Sequence, residues 1–286
     1  MTKSGVVVLS VDVEDWGQST LDRSLPISPR SEKNLHDLLD LFATHGNKAT
    51  MFVLGKFGER FPQAVQRIVS EGHEIASHGY GHTEIFKQSR SEFRNDVSRA
   101  KWFLEDLVGR RVIGYRAPDF SVVKRSLWAF DELVDLGFEY DSSIIPARMK
   151  RYGIDNWPAS PVSVHLPLGK QILEFPLSTM SLFGKRFPVA GGGYHRLFPW
   201  SLIRVFVRKT LALQRPFVFY CHPYELDASE LYDLRETIPI TTRLHQGLGR
   251  KGMRSKIIRL LSTFETKSFE EVIPNTKWPD YHLGNA

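Results

Sequence analysis

The chain has 286 residues, of which 42% are hydrophobic and 12% aromatic: ample for one sizeable core and too much for a disordered segment. Its 38 Lys and Arg against 32 Asp and Glu leave a formal charge of +6, a modest excess that gives no ground for a nucleic-acid partner. The one cysteine, Cys221, excludes an internal disulfide and a thiolate zinc cluster, and it fits a reducing compartment.

The first element is a continuous apolar run, Val6 to Val11, the pattern of a parallel strand buried on both faces. Asp12 interrupts that run, which is too short for a signal-peptide core and has no small-residue cleavage site after it, so a cytoplasmic protein is expected. Residues 31–45 place Leu35, Leu38, Leu39 and Phe42 at helical spacing, and Gly46 stops them. Ala49 to Leu54 reads as the next strand, and Pro62 opens a helix through Val65, Ile68 and Val69 that ends at Gly72. A short strand, His73 to Ser77, precedes a longer helix capped by Ser91, with Phe93, Val97, Ala100, Leu104 and Leu107 on one side. Val112 to Tyr115 is a strand, 126–136 a helix and Phe138 to Tyr140 another strand. The proline-rich stretch 146–170 is expected to be a long loop over the mouth of the fold. Ile172 to Phe175 and Phe217 to Cys221 are later strands, with a helix near 200–213 between them. That helix region carries Arg204, Arg208, Lys209 and Arg215 and so forms no membrane span.

Strands alternating with helices predict βαβ units, right-handed crossovers and a parallel sheet within one domain, residues 1–286. The chemistry-bearing motifs fall in 5–225, with 226–286 as an extension packed on that core. The extension is basic: Arg243, Arg250, Lys251, Arg254, Lys256 and Arg259 crowd one stretch. An exposed helix face is the plain reading of such a cluster, and peripheral contact with anionic lipid or a phosphorylated carrier is the functional one.

The ionisable residues follow the strand ends. Asp12, Glu14 and Asp15 come after the first strand, His78 and His82 after the third, Arg116 after the fourth, Asp141 after the fifth and His222 after the last. Barrel enzymes assemble their sites at that end of the sheet. Two imidazoles four apart, read as sharing one helical turn, can hold one metal, and a carboxylate from another strand completes a two-histidine, one-carboxylate set. Three carboxylates within four residues repel one another unless a cation lies among them. Strand alternation favours Glu14 as the metal carboxylate with Asp12 as base, but Asp15 is equally good if the strand has already ended. Arg116 can hold Asp12 ionised through a bidentate pair, and a histidine such as His222 has the ordinary pKa of a general acid.

The motif order resembles the polysaccharide deacetylase (NodB-homology) family, which runs TFDDG, HSxxH, RxPxG, an aspartate region and LxxHP. The counterparts here are Ser10-Val-Asp12-Val-Glu14-Asp15, His78-Gly-Tyr-Gly-His82, Arg116-Ala-Pro118, Tyr-Asp141-Ser-Ser and Tyr-Cys-His222-Pro223, and Gly72-His73-Glu74-Ile75 is similar to the family's approach to its histidine pair. The resemblance implies a single distorted (β/α)7 barrel of α/β class and a metal-dependent hydrolase. Its activity would be removal of an N-acyl group, above all acetyl, from an amino sugar. It implies one divalent metal, zinc for preference, held by His78, His82 and either Glu14 or Asp15. Asp12 would be the base, Arg116 its orienting partner and His222 the acid. Asp141 would support the polar network around Arg116 and His222, and the backbone N–H of Asp119 would be an oxyanion donor. The first motif lacks adjacent aspartates, Asp119 replaces a more usual aromatic, and Gly79 replaces a hydroxyl residue. These departures, with Pro188-Val-Ala-Gly191-Gly192-Gly193-Tyr194-His195-Arg196 read as a flexible substrate-facing loop, resemble a subgroup tied to bacterial exopolysaccharide or lipopolysaccharide synthesis. That subgroup implies a glycan or a lipid- or nucleotide-linked precursor as partner, met in the cytoplasm or at the inner face of the membrane. Other readings are an allantoinase-like cyclic-amide hydrolase of the same fold, an inactive sugar-binding protein, and an iron oxygenase, which the alternating β/α pattern argues against.

Overall fold

Continuously apolar strands have no face to give to water, so they belong between covering layers. The computed structural model, which describes residues 5–234, 238–275 and 278–283, lines up seven strands, the most apolar among them, in one parallel run of the sheet. In spatial order these are Phe217–Cys221, Val7–Val13, Thr50–Val53, Glu74–Ser77, Gly114–Tyr115, Tyr140–Asp141 and Gln171–Glu174. The pairing of first and last in sequence runs from Val7 opposite Phe217 to Val11 opposite Cys221.

The sheet curls. Val8, Phe52, Ala76, Tyr140, Phe175 and Val218, from strands at its centre and at both ends, form one interior cluster. A second, larger cluster lies between the sheet's outer face and the helices, where Leu35, Leu38, Leu39 and Phe42 of Pro29–His45 are buried as their spacing requires. This is a distorted α/β barrel whose ladder, among the described residues, runs past Gln171–Glu174 into two further strands and does not close on Phe217–Cys221.

The N-terminal end of the barrel is plugged by a polar contact under aromatic cover. Glu74 accepts hydrogen bonds from Tyr140 Oη at 2.6 Å, from the backbone N–H of Glu270 at 2.9 Å, and from Thr50 Oγ1. Phe269 stacks on Tyr140 with ring centroids 5.1 Å apart. Burial pushes the Glu74 carboxyl up to about 7, although the bonds from Thr50, Tyr140 and Glu270 oppose it.

Several local expectations are revised. Ser89, not Ser91, caps the helix Arg90–Val108, in a reciprocal pair with Glu92. The stretch 146–170 is not all loop: Val162–His165 pairs antiparallel with Gln171–Glu174 and parallel with Asp280–His282. A hairpin, Thr179–Leu182 with Lys185–Pro188, follows. The triple glycine is not a flexible loop either, because Gly192–Leu197 is a helix. Of the basic cluster, Arg250 is buried and bonded to Glu230, Tyr224 O and Gln246 O, and Lys256 reaches two backbone carbonyls, so two of the six cations serve the fold. No helix among the described residues is long and apolar enough to cross a membrane.

Candidate active site

The C-terminal ends of the strands open into a cavity of about 690 Å³ lined by Asp12, Glu14, His78, His82, Asp119 and His222, among others. Alternation along the first strand puts Ser10, Asp12 and, one residue past its end, Glu14 on the inner side.

Glu14 meets both histidines. Its Oε2 lies 3.3 Å from His78 Nε2 and 2.5 Å from His82 Nε2, with all three groups buried. The histidines share no helical turn: Gly79 (φ 72) and His82 (φ 63) are left-handed, and Asp96 fixes the loop by accepting the N–H groups of Tyr80 and Gly81 at 2.7 and 3.0 Å. Asp15 turns away. It accepts from Gln18 N at 2.9 Å, Ser28 N at 2.9 Å and Ser28 Oγ at 2.5 Å, so it anchors the approach to the helix Pro29–His45.

Glu14, His78 and His82 can each offer an atom within 4.8 Å of the other two. His78 Nδ1 lies 2.8 Å from the carbonyl oxygen of Arg116. A carbonyl only accepts, so Nδ1 carries the hydrogen and a neutral ring presents its Nε2 lone pair to the Glu14 oxygen. Two acceptors so placed need a cation between them or a second proton on the ring. A borderline divalent metal fits this buried N,N,O donor set. Burial alone would raise the Glu14 carboxyl, but His82, His78 and His222 outweigh it and hold it well below the usual range.

Arg116 and Asp12 are both buried and meet through one contact, Nη1 to Oδ1 at 2.7 Å, in place of the expected bidentate fork. The other donors of the guanidinium go to Ser10 Oγ (2.9 Å), Ser142 O (2.9 Å) and Ser142 Oγ (3.0 Å), and its face lies 4.0 Å over the Phe52 ring. Asp141 hydrogen-bonds Ser143 N and Oγ at 2.9 and 2.6 Å and neither Arg116 nor His222. The contact to Arg116 comes from its neighbour Ser142. Asp141 sits against Glu174, and burial, reinforced by Asp141, raises the Glu174 carboxyl well above its ordinary value.

His222 ends the last strand with Nε2 3.9 Å from Asp12 Oδ2 and 3.7 Å from Glu14 Oε1. Tyr224 stacks on its ring at 4.7 Å and 12°. Burial disfavours its charged form, but Glu225, Glu14 and Asp12 outweigh that and push its pKa up to about 9. Asp119 has a left-handed backbone (φ 54), and its carboxylate accepts from Arg23 at 3.2 Å and Arg151 at 3.0 Å on the cavity rim. Ser10, Ser142, Asp96 and Glu225 were not singled out from the sequence. Only the i,i+3 spacing of His222 and Glu225 carries a local signal, that of a capping pair.

Residues 3–140 match the polysaccharide deacetylase family, and residues 142–274 match a domain of unknown function (DUF3473). A peptidoglycan-N-acetylglucosamine deacetylase of Bacillus cereus is 35% identical over 96 residues, which are 33% of this chain and 35% of that one. A chitooligosaccharide deacetylase of a Bradyrhizobium species is 34% identical over 131 residues, 46% of this chain and 59% of that one. The chain thus aligns with between about a third and three-fifths of the length of these relatives. Among solved structures, a polysaccharide deacetylase from Mycobacterium smegmatis superposes with a TM-score of 0.65 at 18% identity, covering 96% of this chain and 91% of that one. An allantoinase superposes at 0.61 and 15% identity, with the same coverage. At these identities the likeness is one of fold.

Proposed function

The chain belongs to the polysaccharide deacetylase family, and from that premise we propose that it is a metal-dependent N-deacetylase acting on an amino sugar of a glycan or of its lipid- or nucleotide-linked precursor. The observation that carries this reading is the convergence of Glu14, His78 and His82 on one point, with Asp12 and His222 beside them.

Glu14, His78 and His82 would hold the metal, zinc by its affinity for such a set, and when bound it supplies a Lewis acid that polarises the acyl carbonyl and acidifies water. Asp12 takes a proton from the attacking water as the new C–O bond forms. Arg116, fixed by Ser10, Ser142 and Phe52, pairs with Asp12 and aims it. As the C–N bond breaks, His222 gives its proton to the departing nitrogen, so that amide and water become carboxylic acid and amine, and the acid then loses its proton to solvent. The backbone N–H of Asp119 is assigned to the developing oxyanion.

We extend the proposal to where the glycan is met. Lys251, Arg254 and Arg259 are exposed and without ion pairs among the described residues. Nearby, Ile240, Leu244 and Leu248 recur every four residues and are 62%, 68% and 63% exposed. Cations beside an apolar ridge suit an anionic membrane surface that presents a lipid-linked sugar.

The test is metal analysis of the purified protein together with acetate release from N-acetylglucosamine oligomers, alongside His78→Ala and Asp12→Asn. The proposal expects about one metal per chain, lost in His78→Ala, kept in Asp12→Asn, and activity lost in both. Hydrolysis of allantoin-like amides but not of acetylated sugars would move the assignment to a cyclic-amide hydrolase. No hydrolysis by metal-loaded protein would leave a sugar-binding protein.

A further inference from the structure

We infer that the segment matched only as a domain of unknown function supplies the acid half of the site, with Glu225, itself held by Arg196, as the residue that positions His222. This rests on the deacetylase reading above and adds Glu225 and Arg196, which that reading does not use.

The division along the chain is sharp. Asp12, Glu14, His78, His82 and Arg116 all lie in 3–140, whereas His222, Glu225 and Arg196 lie in 142–274. The two segments share one sheet, because the last parallel strand pairs with the first, and this sets His222 beside Asp12 and Glu14.

After His222 the chain makes one 3-10 turn, Pro223–Leu226, which brings the Glu225 carboxylate back under the imidazole. Glu225 Oε2 accepts the backbone N–H of His222 at 3.1 Å and lies 3.6 Å from the ring's Nδ1. The second distance is an ion-pair contact that a few tenths of an ångström of ring movement turns into a hydrogen bond. Tyr224 stacked on one face and Tyr220 edge-on at 5.5 Å fix the ring plane. What they leave open is which nitrogen faces the cavity. A carboxylate at Nδ1 settles that by taking the Nδ1 hydrogen and leaving Nε2 to give its proton to the departing nitrogen. When the C–N bond breaks, the Nε2 proton goes to nitrogen, the Nδ1 proton stays facing Glu225, and solvent returns the Nε2 proton.

Glu225 is 2% exposed and its Oε1 lies 3.0 Å from Arg196 Nε, on the helix Gly192–Leu197. The glycines make that approach possible. A Cβ on Gly192 would stand 1.8 Å from Glu225 Oε2, and one on Gly191 would stand 2.0 Å from the Tyr220 ring. The helix is clamped from the C-terminal extension: Lys256 Nζ donates to the carbonyls of His195 and Arg196 at 2.8 and 2.7 Å, and Arg196 Nη1 donates to Gln246 O. The extension therefore secures the carboxylate that orients the acid.

The test compares full-length, metal-loaded wild type with Glu225→Gln and Arg196→Gln on two substrates. An N-acetylglucosamine oligomer needs its leaving nitrogen protonated, whereas 4-nitrophenyl acetate releases a phenolate that needs no proton. The expected result for Glu225→Gln is a fall in amide kcat of about 10²–10³, with KM and bound metal unchanged and the ester rate within about threefold. Arg196→Gln should show the same pattern, less deeply, since the carboxylate remains. Equal losses on amide and ester would make Glu225 a structural residue and overturn the inference, as would an undiminished amide rate. A wild type that cleaves no acetylated sugar sinks the deacetylase reading alone. The inference is then read from ¹⁵N shifts of histidine-labelled protein at alkaline pH, assigned with His222→Gln. A single Nδ1–H form in wild type that becomes mixed in Glu225→Gln upholds it, and the same form in both overturns it.

Discussion

Replacing Glu74 by Gln should change the sign of its effect on stability between acid and alkaline solution. In the folded protein the carboxyl titrates at about 7, against an ordinary value of 4.5, because burial disfavours its charge. A raised folded pKa means that the folded state binds the proton more tightly. The associated stability is therefore fully present below pH 4.5, declines as pH rises toward 7 and is gone above it. At about 1.4 kcal/mol per unit, the loss between pH 5 and pH 8 is on the order of 2–3 kcal/mol. Gln cannot ionise and so removes this slope. It can still accept from Tyr140, but its amide would face the Glu270 N–H, a donor against a donor, which costs about 1–2 kcal/mol at every pH. Glu74→Gln should accordingly be less stable than wild type at pH 5 by about 1–2 kcal/mol and equal or more stable at pH 8. Urea unfolding of both proteins at the two pH values, with m-values compared, reads the difference directly. All other titrating groups cancel between the two proteins. Parallel stability–pH curves would refute the assignment of a neutral, buried carboxyl at the floor of the barrel.

Asp12→Asn should keep the metal and the fold yet lose at least about 10² in amide kcat, because a neutral amide cannot take the proton from water; stoichiometric metal analysis beside acetate release checks both parts. Arg116→Met should cost about 3–5 kcal/mol in denaturant unfolding, since it leaves Asp12 buried without its cation; a loss below 1 kcal/mol would mean that water enters the barrel there. Reversing Lys251, Arg254 and Arg259 to Glu should abolish cosedimentation with phosphatidylglycerol vesicles at low salt, and raised salt should do the same to the wild type. If neither charge reversal nor salt alters vesicle binding, the basic face has no part in it.

Much of the fold was legible because buried parallel strands advertise themselves: Val6 to Val11, apart from Ser10, and Phe217 to Cys221 are apolar on both sides, and the helix Pro29–His45 shows its apolar stripe. The pieces that escaped are at the edge. Val162–His165 alternates buried and half-buried residues over only four positions and borrows its stability from Gln171–Glu174 and Asp280–His282. In the site, Asp12, His78, Arg116 and His222 stood out because each follows an apolar run. Glu14 and Asp15 could not be separated until the strand's end was known, one residue before Glu14. Glu225 reads in sequence as a residue of a polar turn, and Arg196 as a basic residue after glycines. Their meeting depends on a helix packing against a turn 30 residues away, which no local pattern records. The paired histidines suggested a helical turn by spacing alone, whereas the left-handed backbones of Gly79 and His82 achieve the same convergence.

The pairing of the first strand with the last also has a meaning in time. Val7–Val13 leaves the ribosome some two hundred residues ahead of its partner Phe217–Cys221. At a synthesis rate of about 5–20 residues per second, that is an interval of roughly 10–40 s. Throughout it one edge of an apolar strand lacks its hydrogen-bonded neighbour while Thr50–Val53 already occupies the other. The newborn chain must be kept from pairing that edge with another copy of itself, so slow, chaperone-dependent maturation is the expected cost of a site whose two halves are made some two hundred residues apart.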